Sequence, residues 1–167
     1  MSKNMPPEPS DEANANSSRF EKLLAVLARD QIDYAVVGGL AVILNGYPRV
    51  TVDVDILVDD NPENLRKLLD SLAGWGEGWA RELSIDDFAP QEGSIRVMEE
   101  FDLDIFTRIQ GKSMEDFRPR LRYLAAEGVR IPFLGAEDLI SIKQNSWREK
   151  DQLDVAALRQ LLKDQPG

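Results

Sequence analysis

The amino-acid sequence predicts an α+β fold in which helices pack on a mixed β-sheet. Short runs of aliphatic and β-branched residues alternate with segments of helical periodicity. Two pairs of predicted strands are joined by tight turns, at Glu99-Glu100 and at Glu127-Gly128, and such turns connect antiparallel neighbours. The chain then continues into two C-terminal helical segments. The tight turns favour a mixed sheet over a doubly wound parallel sheet.

The composition fits one soluble domain with a hydrophobic core. The 167 residues are 43% apolar and 30% charged. No run reaches the ~18 apolar residues that would span a membrane. Residues 1–16 are polar and lack apolar periodicity, so we expect a disordered tail without a signal segment. A single domain is expected over residues 17–167.

Cysteine and histidine are both absent, which excludes several kinds of site. There is no disulfide framework, no thiol nucleophile, no histidine base and no zinc–thiolate centre. Any metal must be held by oxygen ligands, which favours Mg²⁺ or Mn²⁺. The net charge of −10 argues against binding nucleic acid by bulk charge. The lack of cysteine suits a cytoplasmic protein.

Capping signals and periodicity predict the elements of the N-terminal half. Ser18 and Glu21 form a capping box that begins the first helix. The apolar positions Leu24 and Leu27 then continue its buried face. The other elements predicted here are a buried strand over 33–37, a short helix over 40–44, an alternating strand over 50–58 and a helix over 59–72.

The C-terminal half begins with a segment whose structure is hard to predict. Residues 74–94 are rich in glycine, acid and tryptophan, and we expect a loop with one short helix. The elements predicted after it are strands over 94–98 and 101–107, a short amphipathic piece over 113–117, a hairpin over 123–133, and helices over 136–145 and 148–162.

Acidic residues alternate with apolar residues on two of these strands. Asp53 and Asp55 share one face of their strand, and Asp102 and Asp104 do the same on a later strand. An isolated pair of this kind is more often a solvated strand face. If the two strands are neighbours, three or four carboxylates gather in one cleft, and their repulsion calls for a cation. The pattern therefore predicts a magnesium or manganese site.

A glycine pair, Gly38-Gly39, follows the first buried strand. A lone glycine pair is usually only a turn. Beside a metal pocket, it suits a nucleoside triphosphate, whose phosphates need backbone amides and magnesium. Bound metal would stabilise the attacking and leaving oxygens of a phosphoryl transfer, and a third carboxylate could serve as the base.

The order of these motifs resembles the nucleotidyltransferase superfamily, which has the polymerase-beta-like fold. The matching positions are the glycine pair, the two acids Asp53 and Asp55 on the following strand, and a third acid on a later strand. We assign the third acid to Asp104, with Asp102 as the alternative. The resemblance implies that these three acids are catalytic and metal-binding, and that Gly38 and Gly39 bind the nucleotide.

The resemblance is closest to minimal bacterial toxin-type members such as the AbiEii group. Arg49 and Thr51 match that group's R-x-T-x-D-h-D form, and residues 137–143 and 148–155 look like its C-terminal helical motif. This implies transfer of a nucleoside monophosphate to a hydroxyl of a tRNA, a protein or a small molecule. It also implies a toxin–antitoxin setting with a cognate partner. One departure is Leu40, which stands where a small hydroxyl residue often follows the glycines.

Several basic and aromatic residues have two interpretations each. Arg49, Thr51, Lys143 and Arg148 are candidate nucleotide-binding residues, whereas Arg148 could instead pair with Asp151 on a solvated helix face. The run of Arg118, Arg120 and Arg122 is an RNA-binding patch or, more simply, surface charge. Trp75 and Trp79 either stack on a base or pack in the core. An inactive nucleotide- or partner-binding module is the alternative to the enzyme.

Overall fold

The computed structural model describes residues 9–165, which form a six-stranded sheet with helices packed around it. The strands are β1 (Tyr34–Val37), β2 (Asp53–Val58), β3 (Ser94–Met98), β4 (Asp102–Phe106), β5 (Arg122–Ala126) and β6 (Val129–Phe133). The α-helices are α1 (Pro9–Arg29), α2 (Gly38–Leu44), α3 (Pro62–Ala73), α4 (Met114–Phe117), α5 (Ala136–Lys143) and α6 (Glu149–Asp164). Single 3₁₀ turns cover Trp79–Glu82, Ile85–Asp87 and Arg118–Arg120.

The sheet is mixed, as the tight turns predicted. Its strand order is β3-β4-β2-β1-β6-β5. The pairs β3/β4 and β5/β6 are antiparallel hairpins, β1 is antiparallel to β2, and β2 runs parallel to β4. The predicted α+β class is therefore confirmed. This order also places the carboxyl end of β1 beside the amino ends of β2 and β4, where the glycine pair and the aspartates lie.

The hydrophobic core lies between the sheet and its helices. Val54 and Ile56 alternate with the aspartates of β2 and are fully buried. Phe101 packs edge-on against Phe20, with ring centroids 4.8 Å apart, and lies 5.1 Å from the ring of Trp75. Trp75 is therefore partly buried and packs against the core, in line with the simpler interpretation. In the described part of the chain, none of the helices combines the length and apolarity needed to cross a bilayer.

Some boundaries differ from the sequence-based prediction. Helix α1 begins at Pro9, so the capping box at Ser18 lies inside a longer helix. Residues 9–16 of the predicted tail thus belong to α1, and the rest of that tail lies outside the described residues. Strand β2 begins at Asp53 and not at Val50, and the side chains of Val50 and Val52 before it are 62% and 65% exposed. Residues 74–94 contain two 3₁₀ turns where one short helix was expected.

Candidate active site

The four predicted acids meet on one face of the sheet. The parallel register of β2 and β4 sets Asp53 beside Asp102 and Asp55 beside Asp104. Because alternate residues of a strand share a face, all four carboxylates lie on the same side. Asp104 is buried, whereas Asp53 is partly exposed. The expectation that neighbouring strands would gather these acids is therefore met by the register.

Asp55 carries most of the electrostatic strain of this cluster. Burial raises its pKa to about 7, with further contributions from the charge of Asp104, a hydrogen bond with Asp104 and the charge of Asp53. The positive charge of Lys143 acts in the opposite direction. The pKa of Asp55 therefore lies near neutral pH. This geometry favours Asp104, rather than Asp102, as the acid that works with Asp55.

Arg96 on β3 lies among these acids, and sequence reasoning missed it. The β3/β4 register places Arg96 directly across from Asp104. Its Nε and Nη2 donate to the two carboxylate oxygens of Asp104 at 2.9 Å each, and its Nη1 donates to Asp102 at 3.1 Å. These carboxylates raise the pKa of Arg96 above its usual value, chiefly through the hydrogen bonds to Asp104. The tight hairpin between β3 and β4 was the sequence signal that placed Arg96 on the acidic face.

The donor set of this cluster fits a hard divalent cation. Carboxylate oxygens are the ligands that Mg²⁺ and Mn²⁺ prefer. The positive charge among these carboxylates is the guanidinium of Arg96, whose Nη2 also lies 3.7 Å from Asp53. Within residues 9–165, however, no group of three or more acidic side chains is arranged to hold a metal as it stands. In this arrangement the guanidinium of Arg96 hydrogen-bonds to Asp102 and Asp104.

The glycine pair packs against the acidic strand so closely that side chains are excluded. Gly38 has φ +65°, and a Cβ built on it would overlap the carboxylate of Asp55. A Cβ on Gly39 would come within 3.1 Å of Thr51 Oγ1 and 3.3 Å of Arg49 Nη2. Among residues 9–165, no side chain caps the first turn of α2 with a hydrogen bond. The predicted turn is thus the first turn of α2 itself, and its amides remain uncapped.

Two buried acids of α6 hold Lys143 and Arg49, and Arg49 lies beside this turn. Arg49 Nη1 donates to Asp154 at 2.6 Å, and Lys143 Nζ lies 3.3 Å from the same carboxylate. Lys143 also donates to Asp151 at 2.8 Å. The side chains of Asp151 and Asp154 are only 3% and 2% exposed. The structure therefore brings Arg49 and Thr51 to Gly39, and Asp154 links Arg49 to Lys143.

Asp151 also holds the loop between α5 and α6. It accepts hydrogen bonds from Ser146 at 2.7 Å and from Arg148 at 3.0 Å. Burial alone would raise its pKa, but the hydrogen bonds from Lys143 and Ser146 and the charges of Lys143 and Arg148 outweigh burial and lower the pKa to about 2. The side chain of Arg148 is 62% exposed and forms the pair with Asp151 that was its alternative interpretation.

The arginine run at the start of β5 is dispersed among separate partners. Arg118 pairs with Asp33 and Asp59, and Arg120 pairs with Asp138. Arg122 donates to the side chain of Asn45. These contacts correspond to the surface-charge interpretation of the run. Trp79 is about half exposed and begins the 3₁₀ turn Trp79–Glu82, which contains none of the four clustered aspartates.

Solved structures similar to this chain include adenylyltransferases and nucleotidyltransferase-like proteins. The lincosamide antibiotic adenylyltransferase LnuA, bound to lincomycin, aligns with TM-score 0.61 at 15% identity over 86% of this chain and 96% of its own. A candidate nucleotidyltransferase from Thermotoga maritima gives TM-score 0.55 at 18% identity, covering 91% of this chain and 95% of its own. ANT(2")-Ia, in complex with adenylyl-2"-tobramycin, gives 0.55 at 12% identity, covering 89% and 90%.

Comparison of the amino-acid sequence with known proteins identifies the family to which the chain belongs. No curated protein matches the chain. A family model described as "Nucleotidyltransferase of unknown function (DUF6036)" matches residues 18–163, which include all the acids and basic residues described above. The chain therefore belongs to this family of nucleotidyltransferases.

Proposed function

We propose that the protein is a metal-dependent nucleotidyltransferase that moves a nucleoside monophosphate from a nucleoside triphosphate to a hydroxyl acceptor and releases pyrophosphate. The observation that carries this proposal is the four-carboxylate face beside the uncapped first turn of α2. The acids supply oxygen ligands, and the turn supplies free amides for phosphate oxygens. Family membership gives the same reaction class.

Each group in the site has a distinct role in this proposal. Asp53 and Asp55 would hold Mg²⁺ or Mn²⁺, with Asp104 as the third ligand or the base. A bound divalent metal would supply charge stabilisation for the transferring phosphoryl group. The amides of Gly38 and Gly39, with Thr51, would orient the triphosphate. The basic residues Arg49, Lys143 and Arg148 would neutralise its charge.

The acceptor is best explained as a small molecule with a free hydroxyl. The chain carries a net charge of −10, which favours a cationic or neutral acceptor over a polyanion. Two structural neighbours are an adenylyltransferase bound to lincomycin and an enzyme in complex with adenylyl-tobramycin, both compact hydroxylated molecules. The arginine run that would serve RNA is largely paired with acids.

A direct assay tests both the reaction and its acceptor. The protein is incubated with each of four α-labelled nucleoside triphosphates and Mg²⁺ or Mn²⁺, and pyrophosphate and labelled products are measured. Three acceptor pools are offered: amino-sugar antibiotics, tRNA, and cell protein. Label on a small molecule supports the proposal as stated. Label on tRNA or protein would instead favour the toxin-type activity with a cognate antitoxin, and binding without pyrophosphate would indicate an inactive nucleotide-binding module.

We expect Asp53→Asn to lower pyrophosphate release at least about a thousandfold, because several kcal/mol of transition-state stabilisation depend on the metal. The matched control is Asp60→Asn. Asp60 also pairs with one arginine, at 3.2 Å from Arg108, but lies at the far end of β2. Equal pyrophosphate release by Asp53→Asn and wild type would contradict a metal role for Asp53.

Asp154→Asn should weaken triphosphate binding by loosening Arg49 and Lys143. Removing one partner of a buried ion pair also destabilises the fold by roughly 3–5 kcal/mol. We expect KM for the triphosphate to rise at least ~10-fold, with a lower melting temperature. The control is Asp164→Asn, on the exposed end of α6, where the carboxylate contacts only Gln160 among the described side chains. An unchanged KM in folded Asp154→Asn would mean that the pair is purely structural.

A further inference from the structure

Arg96 lies among the four carboxylates, yet none of the roles above uses it. Its guanidinium donates hydrogen bonds to both carboxylate oxygens of Asp104 at 2.9 Å, and the Asp104 side chain is only 10% exposed. A bidentate guanidinium–carboxylate pair fixes the direction of the carboxylate as well as its distance. Arg96 therefore determines where Asp104 points on the acidic face.

The contact between Arg96 and Asp53 is of a different kind. Nη2 of Arg96 lies 3.7 Å from Asp53 Oδ2, which is too long for a hydrogen bond. The side chain of Asp53 is 38% exposed, so it is accessible from solvent. An incoming cation can therefore take Asp53 without breaking a hydrogen bond, whereas taking Asp104 away from Arg96 would break two.

We propose that Arg96 is a positioning residue with two tasks. It holds Asp104 through the bidentate pair whether or not metal is bound, and it is the resident counter-cation that a divalent metal displaces from Asp53. This inference rests on the metal-dependent transfer proposed above. The residue belongs to β3, a strand that contributes no acid to the site.

These two tasks give opposite effects when Arg96 is removed. Its positive charge repels an approaching divalent cation, so the metal should bind more tightly without it. Asp104 loses its orientation at the same time, so the chemical step should slow. A residue that only supported the fold would weaken metal binding and slow turnover together. The sign of the change in metal affinity thus separates the two explanations.

The experiment measures Mn²⁺ binding to the full-length, nucleotide-free protein from the electron paramagnetic resonance signal of free Mn²⁺. Arg96→Met removes the positive charge and keeps a side chain of similar length. Arg96→Lys keeps the positive charge but cannot form the bidentate pair with Asp104. We expect Arg96→Met to bind Mn²⁺ at least ~10-fold more tightly than wild type and Arg96→Lys to bind about as wild type. Both variants should release pyrophosphate at least ~10-fold more slowly at saturating metal. Arg108→Met, which breaks one ion pair outside the cluster, is the control and should change neither.

Arg96→Met that binds Mn²⁺ as wild type or more weakly would overturn the inference while leaving the transferase proposal intact. Failure of every protein, wild type included, to bind Mn²⁺ would overturn the metal site itself. If Arg96→Met does not fold, a nuclear magnetic resonance measurement on the wild-type protein tests the inference instead. The ¹⁵Nε resonance of Arg96 is assigned by its loss in Arg96→Lys. On saturation with Mg²⁺ this resonance should shift, because the guanidinium loses its contact with Asp53. The Nε proton should stay protected from exchange with water, because the pair with Asp104 persists. A resonance that does not move would contradict displacement from Asp53.

Discussion

Asp55→Asn is expected to abolish nucleotidyl transfer and, in the absence of metal, to stabilise the protein at pH 8. Activity is lost because an amide is a poor ligand for Mg²⁺ compared with a carboxylate. Stability rises because Asp55 is ionised at this pH although burial and the charges of Asp104 and Asp53 oppose it. Asparagine keeps the shape and removes that charge. The two effects have opposite signs, as is common for residues that hold a metal.

The pH dependence follows from the raised pKa of Asp55. Its pKa is about 7 in the folded protein, whereas the same side chain in the unfolded chain has the ordinary aspartate pKa of 3.8. The protonated form is therefore favoured by folding, and the stability that it contributes is fully present below pH 3.8 and lost as the pH rises through 7. The loss is at most roughly 4 kcal/mol, because one pKa unit corresponds to ~1.4 kcal/mol.

Urea unfolding in EDTA at pH 5 and pH 8 measures this effect. We expect Asp55→Asn to exceed wild type in stability by much more at pH 8 than at pH 5, and added Mg²⁺ to stabilise wild type only. Asp86→Asn is the control, since Asp86 is exposed in the 3₁₀ turn Ile85–Asp87 and should behave as wild type. The same advantage at both pH values would mean that Asp55 is not the strained acid of the cluster.

Gly38→Ala is expected to eliminate activity and destabilise the fold by more than backbone strain alone. The left-handed φ of +65° costs an alanine about 1 kcal/mol. The added Cβ would also overlap the Asp55 carboxylate and lie 3.0 Å from Asp55 Cβ, so turning the carboxylate away would not relieve every contact. The first turn of α2 and strand β2 would have to separate. Thermal denaturation and pyrophosphate release measure the two consequences.

Gly111→Ala is the matched control for this prediction. Gly111 has φ +74°, and a Cβ there meets nothing within 4 Å, so its substitution isolates the backbone strain. A second variant, Gly38→Ala with Asp55→Ala, removes the two closest atoms of Asp55 and leaves its Cβ at 3.0 Å, so it should recover part of the lost stability without recovering activity. If Gly38→Ala costs no more than Gly111→Ala, the close approach of the glycine turn to Asp55 is not important for stability.

The sequence itself determined most of the acidic face. The alternation of aspartate with apolar residues in residues 53–55 and 102–104 required one side of each strand to be buried and the other to be acidic. The glycine pair marked the turn, because only glycine adopts φ +65° against a neighbouring strand without cost. These local rules depend on side-chain period and backbone sterics, which neighbouring residues fix, so the fold class and the candidate acids were predictable.

The partners of these residues were decided only by the tertiary structure. The parallel register of β2 and β4 chose Asp104 as the neighbour of Asp55, and the β3/β4 hairpin brought Arg96 onto the same face. The packing of α6 buried Asp154 against Arg49, which lies 105 positions away in the chain. Strand register and helix docking depend on contacts between distant segments, and the energy of a buried charge depends on its solvation, which local sequence does not encode. The sequence thus specified which groups could react, and the fold determined which charges they face.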